Sequence, residues 1–120
     1  MLFSFFSKDI NSKIDSWEEK GHLGKIIKVA QNNEDEDLRC KAYSAIGRLR
    51  AKESVEALFL CLRSEESEKV KLAACDALGH VATKAEFDQI FHMADTEENE
   101  KISEALKAAA VAAKERTPRW

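Results

Sequence analysis

At 120 residues, with 44% hydrophobic and 34% charged side chains, the chain is long enough for one hydrophobic core and too apolar for intrinsic disorder. Its net charge of −3 gives no general attraction to phosphate backbones or anionic lipid, so neither nucleic acid nor a membrane is an expected partner. Four glycines and one proline against 17 alanines remove turn formers and supply the best helix former, which predicts an all-α fold.

The opening Met1-Leu2-Phe3-Ser4-Phe5-Phe6 is apolar but stops at Lys8-Asp9, short of the ~20 residues that span a bilayer and without a basic leader region. It reads instead as the start of a first helix, in which Phe6, Ile10, Ile14 and Trp17 fall on one face and Gly21 supplies the C-cap. A second helix, 22–32, carries Leu23, Ile26, Ile27 and Ala30. The third, 36–50, buries Leu38, Ala42, Ala45, Ile46 and Leu49 behind the N-cap Asp35. After a short connection over 51–53, the fourth, 54–63, presents Val55, Leu58, Phe59 and Leu62, and runs antiparallel to the third.

From there the chain repeats itself at an offset of 32 residues. Asp35 is matched by Ser67 and Asn99, all good N-cap residues, and Ala45 by Ala77 and Ala109. Ile46 and Gly47 are matched by Leu78 and Gly79, while Val55, Leu58 and Phe59 are matched by Phe87, Ile90 and Phe91. The register therefore predicts a fifth and a sixth helix, then a seventh over 100–116 that Pro118 stops. The expected division is a divergent capping unit 1–33, repeats 34–65 and 66–97, and a half unit 98–116.

The series Asp35-Leu38-Arg39-Ala42-Ala45-Ile46-Gly47-Leu49, its copy Ser67-Val70-Lys71-Ala74-Ala77-Leu78-Gly79-Val81, and the following Ser54-Val55-Leu58-Leu62 resemble HEAT repeats, specifically the short type of phycobilisome lyase subunits. The resemblance implies a right-handed α-solenoid of about three and a half two-helix repeats, with the second helix of each repeat on the concave side. Tetratricopeptide and ankyrin signatures are absent from the sequence, and a plain helical bundle is the structural alternative.

Chemistry is scarce. Cys40, Cys61 and Cys75 form no ligand-spaced group, fit a reducing cytoplasm, and sit on helices where Cys acts as a small hydrophobe. His22, His80 and His92 are followed by Leu, Val and Met, so the His-Glu iron pairs of the HEAT-like deoxyhypusine hydroxylases are missing. No Gly-rich phosphate loop is present, and neither metal nor cofactor is expected. Gly47 and Gly79, costly inside helices, point to close backbone approach between neighbours. Eleven of the 22 acidic residues fall in the loops entering the third, fifth and seventh helices, while Arg48, Arg50, Lys52, His80, Lys84, Lys114 and Arg116 mark the opposite edge. These two edges either complement helix dipoles or orient a partner.

The expectation is a non-enzymatic protein-binding scaffold. Its rivals are an accessory subunit similar to phycobilisome lyase components, handling a tetrapyrrole or its acceptor protein, and a self-assembling repeat. Removing the core set from the even-numbered helices leaves Lys28, then Glu56, Leu60 and Arg63, then Asp88, His92 and Asp95 as the partner-binding surface. Leu60 is the telling one: either it packs against neighbouring helices or it is an apolar centre with a charged rim. The Ala-rich last helix, apolar on more than one face, predicts either homo-oligomerisation through that helix or docking of the tail Thr117 to Trp120 over it.

Overall fold

A computed structural model describes residues 2–118, with side chains from Asp9 to Pro118. Seven α-helices succeed one another: α1 (Leu2–Lys20), α2 (Leu23–Asn32), α3 (Glu36–Leu49), α4 (Lys52–Ser64), α5 (Glu68–Val81), α6 (Phe87–Thr96) and α7 (Glu100–Ala113), with a 3-10 turn, Lys84–Glu86, leading into α6. Helix covers 82% of the described residues and none of them is in a strand, the all-helical architecture expected from the sequence. Phe6 and the tail residues Arg119 and Trp120 lie outside the described side chains.

The three inter-repeat loops are one construction used three times. The side-chain oxygens of Asp35, Ser67 and Asn99 accept the orphan N–H groups of Leu38, Val70 and Ile102 at 3.3, 3.2 and 3.1 Å. Two residues upstream, Asn33, Glu65 and Glu97 accept the N–H of each cap residue at 2.8, 3.2 and 2.9 Å. Successive loops are then tied together. Ser67 Oγ donates to Glu36 at 2.6 Å and Asn99 Nδ2 to Glu68 at 3.2 Å, a rung that recurs at the repeat spacing. Lys69 pairs with Asp37, and Arg39 bridges loops by donating to the Asn33 carbonyl (2.9 Å) and, with two nitrogens, to the Glu65 carboxylate (3.2 and 3.0 Å).

Each helix contributes one large, fully buried side chain to a continuous core: Ile14, Ile26, Ile46, Leu58, Leu78, Ile90 and Leu106 in order along the chain. Two of those series, Ile14-Ile46-Leu78 and Ile26-Leu58-Ile90, keep the 32-residue step. Tyr43, which the apolar spacing missed, is 2% exposed, and burial pushes its phenol well above the ordinary value.

Odd and even helices form two layers with different spacing. In the odd layer α3, α5 and α7 lie in close backbone contact where Gly47 meets Ala77 and Gly79 meets Ala109: a Cβ built on Gly47 would lie 2.7 Å from Ala77 Cβ and 2.8 Å from Ala77 Cα. In the even layer α2 and α4 approach only at their nearest points, and α4 and α6 nowhere come within 8 Å, Cα to Cα. Each even helix rests chiefly on the odd helix that follows it, α2 on α3, α4 on α5 and α6 on α7. Lys28, Glu56, Leu60, Arg63, Asp88, His92 and Asp95 all belong to the more widely spaced even layer.

Two expectations change. The last helix stops at Ala113 rather than 116, because Arg116 turns back onto the end of α5: its guanidinium donates to the carbonyls of Gly79 (3.0 Å) and Ala82 (2.7 Å), and its own carbonyl accepts from Lys84 N–H (2.9 Å). Phe91, aligned with the core residue Phe59, is 52% exposed where Phe59 is 6%. No even helix follows α6 among the described residues to cover it.

Candidate binding surface

The surface begins with the spacing just described. Because α4 and α6 stand apart, a groove of about 550 Å³ opens between them, lined by Val55, Glu56, Phe59, Leu60 and Arg63 of α4 and by Glu86 and Gln89 at the start of α6. Val55 and Phe59 are buried and form its floor, and Leu60 is 42% exposed on its wall. The spacing of Val55, Glu56, Phe59, Leu60 and Arg63 at three and four residues is what a helix needs to turn all five to one side. One end of the groove is acidic, from Glu56 and Glu86; Arg63, roughly 10 Å along the helix at 1.5 Å per residue, makes the other end basic.

Glu86 is anchored there. Its carboxylate accepts from Thr83 N–H (2.8 Å) and Thr83 Oγ1 (3.1 Å), which fixes the 3-10 turn ahead of α6. The equivalent position in the preceding turn, Ser54, is fully buried, accepts from Ala51 N–H (3.3 Å) and donates to the Ile46 carbonyl (3.0 Å). The shorter side chain thus ties α4 to α3, and the longer one leaves a carboxylate at the groove mouth.

All seven residues singled out from the sequence are exposed. The structure brings Glu56, Leu60 and Arg63 together in this groove, while Lys28, Asp88, His92 and Asp95 lie outside its lining. Sequence reasoning missed Glu86 and Gln89, which reach the groove only because the turn before α6 differs from that before α4; Thr83, a cap residue three positions before Glu86, was the available signal.

Burial pushes the Cys61 thiol up to about 11 and the Cys75 thiol up to about 12, so neither supplies a thiolate near neutrality. No group of three or more His, Cys, Asp or Glu side chains among the described residues is placed to hold a metal ion. No described helix is long and apolar enough to cross a membrane.

The sequence model of HEAT repeats matches residues 23–111, about three quarters of the chain. The chain belongs to the HEAT-repeat family. The matched span opens at the first residue of α2 and closes within α7, so it takes in the three pairs, α2/α3, α4/α5 and α6/α7, in which an even helix rests on the odd helix after it. No curated protein and no solved structure matches the chain. HEAT repeats commonly mediate protein–protein contacts and are typically non-catalytic.

Proposed function

We propose that this HEAT-repeat chain is a non-enzymatic binding module whose docking surface is the groove between α4 and α6, centred on Leu60. The observation that carries the reading is a large apolar side chain, 42% exposed, on the wall of an open groove with opposite charges at its two ends. An apolar centre within a polar rim is the anatomy of a modest protein interface. The complementary partner segment carries an apolar side chain for the Leu60 wall, a basic group toward Glu56 and Glu86, and an acidic group toward Arg63.

The lyase-like alternative calls for a pocket that encloses a tetrapyrrole. In this groove the one aromatic side chain, Phe59, is 6% exposed, which favours a peptide surface over a chromophore site. The intact chain used as bait in host lysate, beside Leu60→Ala and Arg63→Glu, tests the proposal. Truncating a central anchor costs ~2 kcal/mol or more, so Leu60→Ala should weaken the captured partner at least ~30-fold. Undiminished capture by both variants would place the binding surface elsewhere, and a visible absorption band in chain purified from its host would favour the lyase-like reading.

A further inference from the structure

A second cavity, of about 320 Å³, lies farther along the gap between α4 and α6. It is lined by Leu62 of α4, Met93 and Thr96 of α6, Glu97 and Glu98 just beyond α6, and Leu106 of α7. Leu62 and Leu106 are buried beneath it, and Met93 is half-buried on its wall. The start of α4 meets the start of α6 in the first cavity, and the end of α4 meets the end of α6 in the second, so the two helices run the same way along one trough. Their facing residues share one spacing. Val55, Phe59 and Leu62 line the trough from α4, and Gln89, Met93 and Thr96 from α6, each set stepping by four residues and then by three. That step keeps a stripe straight along a helix.

We propose, on the reading that this gap is the docking surface, that its occupant is an amphipathic α-helix with basic flanks, laid along the gap antiparallel to α4 and α6 and seating one apolar side chain in each cavity. Two observations select it. The first is the spacing. Two stripes at helical period accept a third of the same period by ridge-in-groove packing, and the roughly 10 Å from Gln89 to Thr96 is the rise between apolar side chains seven residues apart on a helix. An extended strand would present side chains at a two-residue step that neither wall follows. The second is charge. Of the described charged residues lining the two cavities, Glu56, Glu86, Glu97 and Glu98 are acidic and Arg63 is basic. Glu97 is held in place by accepting from Asn99 N–H at 2.9 Å. The acids stand at the two ends of the trough with Arg63 between them, which calls for Lys or Arg at both flanks of the bound helix and an acidic side chain opposite Arg63. Antiparallel placement also sets its dipole against those of α4 and α6.

Fluorescence anisotropy of the intact chain with labelled synthetic peptides of about 18 residues, long enough to hold a helix, tests this. The probe has an Ala and Lys background, Leu at the four-then-three spacing, and Lys at both ends. One control keeps its composition in scrambled order, so that its Leu residues share no face, and another carries Glu at both ends. The striped, Lys-ended peptide should bind at least ~10-fold more tightly than either control. Leu60→Ala and Met93→Ala, one for each cavity, should each weaken it ~5-fold or more. Glu98→Lys, at an exposed carboxylate, should weaken it about 3-fold, an effect that shrinks at about 0.5 M salt. A striped peptide that does not bind at about 200 μM, or that binds no better than either control, would overturn the proposal. Loss at Leu60→Ala with indifference to both Met93→Ala and Glu98→Lys would overturn the two-cavity helix and leave the groove around Leu60 standing. Equal binding to the wild type and to Leu60→Ala would overturn the groove as the peptide's site, and the helix proposal with it.

Discussion

Gly47 and Gly79 hold the same register on neighbouring odd helices, yet they meet their neighbours differently. At Gly47 the Ala77 backbone is so close that no Cβ fits, with 2.8 Å to Cα and 3.0 Å to the carbonyl oxygen. At Gly79 a Cβ would find Ala109 Cα at 3.5 Å, an ordinary van der Waals contact. The even layer shows the opposite extreme, with α4 and α6 beyond 8 Å. A repeat sequence thus builds seams that are closed, closable and open, and the open one is where a partner can enter.

The largest effect is expected at the closed seam. Gly47→Ala forces α3 and α5 apart and should destabilise by ~2–3 kcal/mol despite the better helix propensity of Ala, lowering the melting temperature by roughly 10 °C. A melt unchanged from wild type would mean the seam yields freely. Ser54→Ala comes next, because it removes the buried hydroxyl that joins α4 to the Ile46 carbonyl; denaturant titration should show a loss of ~1–2 kcal/mol. Gly79→Ala should reverse the sign found at Gly47 and stabilise by ~0.5–1 kcal/mol, since the added methyl fits and the unfolded chain loses freedom. Opposite signs from the same substitution in one register would be hard to obtain by any other packing.

The smallest effect concerns the ion pair between α1 and α3. Hydrogen bonding to Arg48 (2.6 Å) holds the Glu18 carboxyl below its ordinary value of 4.5. A depressed folded pKa contributes stability that is present above the ordinary value and lost as pH falls through the folded one. With Arg48 more than half exposed, screening limits the contribution to a few tenths of a kcal/mol. Glu18→Gln should therefore melt slightly below wild type at neutral pH, and the difference should close in acid, below 4.5. A gap that persists at low pH would assign the loss to packing rather than charge.

Much of this fold was legible because periodicity reports directly on burial. Leu38, Ala42, Ala45, Ile46, Val55, Leu58, Phe59 and Leu62 are all buried where their spacing placed them, and Asp35, Ser67 and Asn99 all cap helices. A period fixes the length of a unit but not its origin, so the sequence did not reveal that each even helix rests on the odd helix after it. Nor does it show how close two small residues come: Gly47 and Gly79 share a register, yet they meet Ala77 and Ala109 at different distances. Phe91 was misjudged for a related reason: the register marks what a position does when another helix follows, and none does among the described residues. Leu60 was legible as the one large apolar residue left over after the core of α4 was assigned, while Glu86 and Gln89 needed the altered turn before α6.

Whether Leu60 is spare is decided by comparing it with Leu58, two residues away on the same helix and fully buried. Thermal unfolding of Leu58→Ala and Leu60→Ala side by side changes the same atoms in the core and on the groove wall. Leu58→Ala should cost ~2–5 kcal/mol through the cavity it leaves, and Leu60→Ala less than ~1 kcal/mol. That result would leave Leu60 without a structural task and available to a partner. Equal losses at the two positions would place Leu60 in the core and contradict a binding surface built around it.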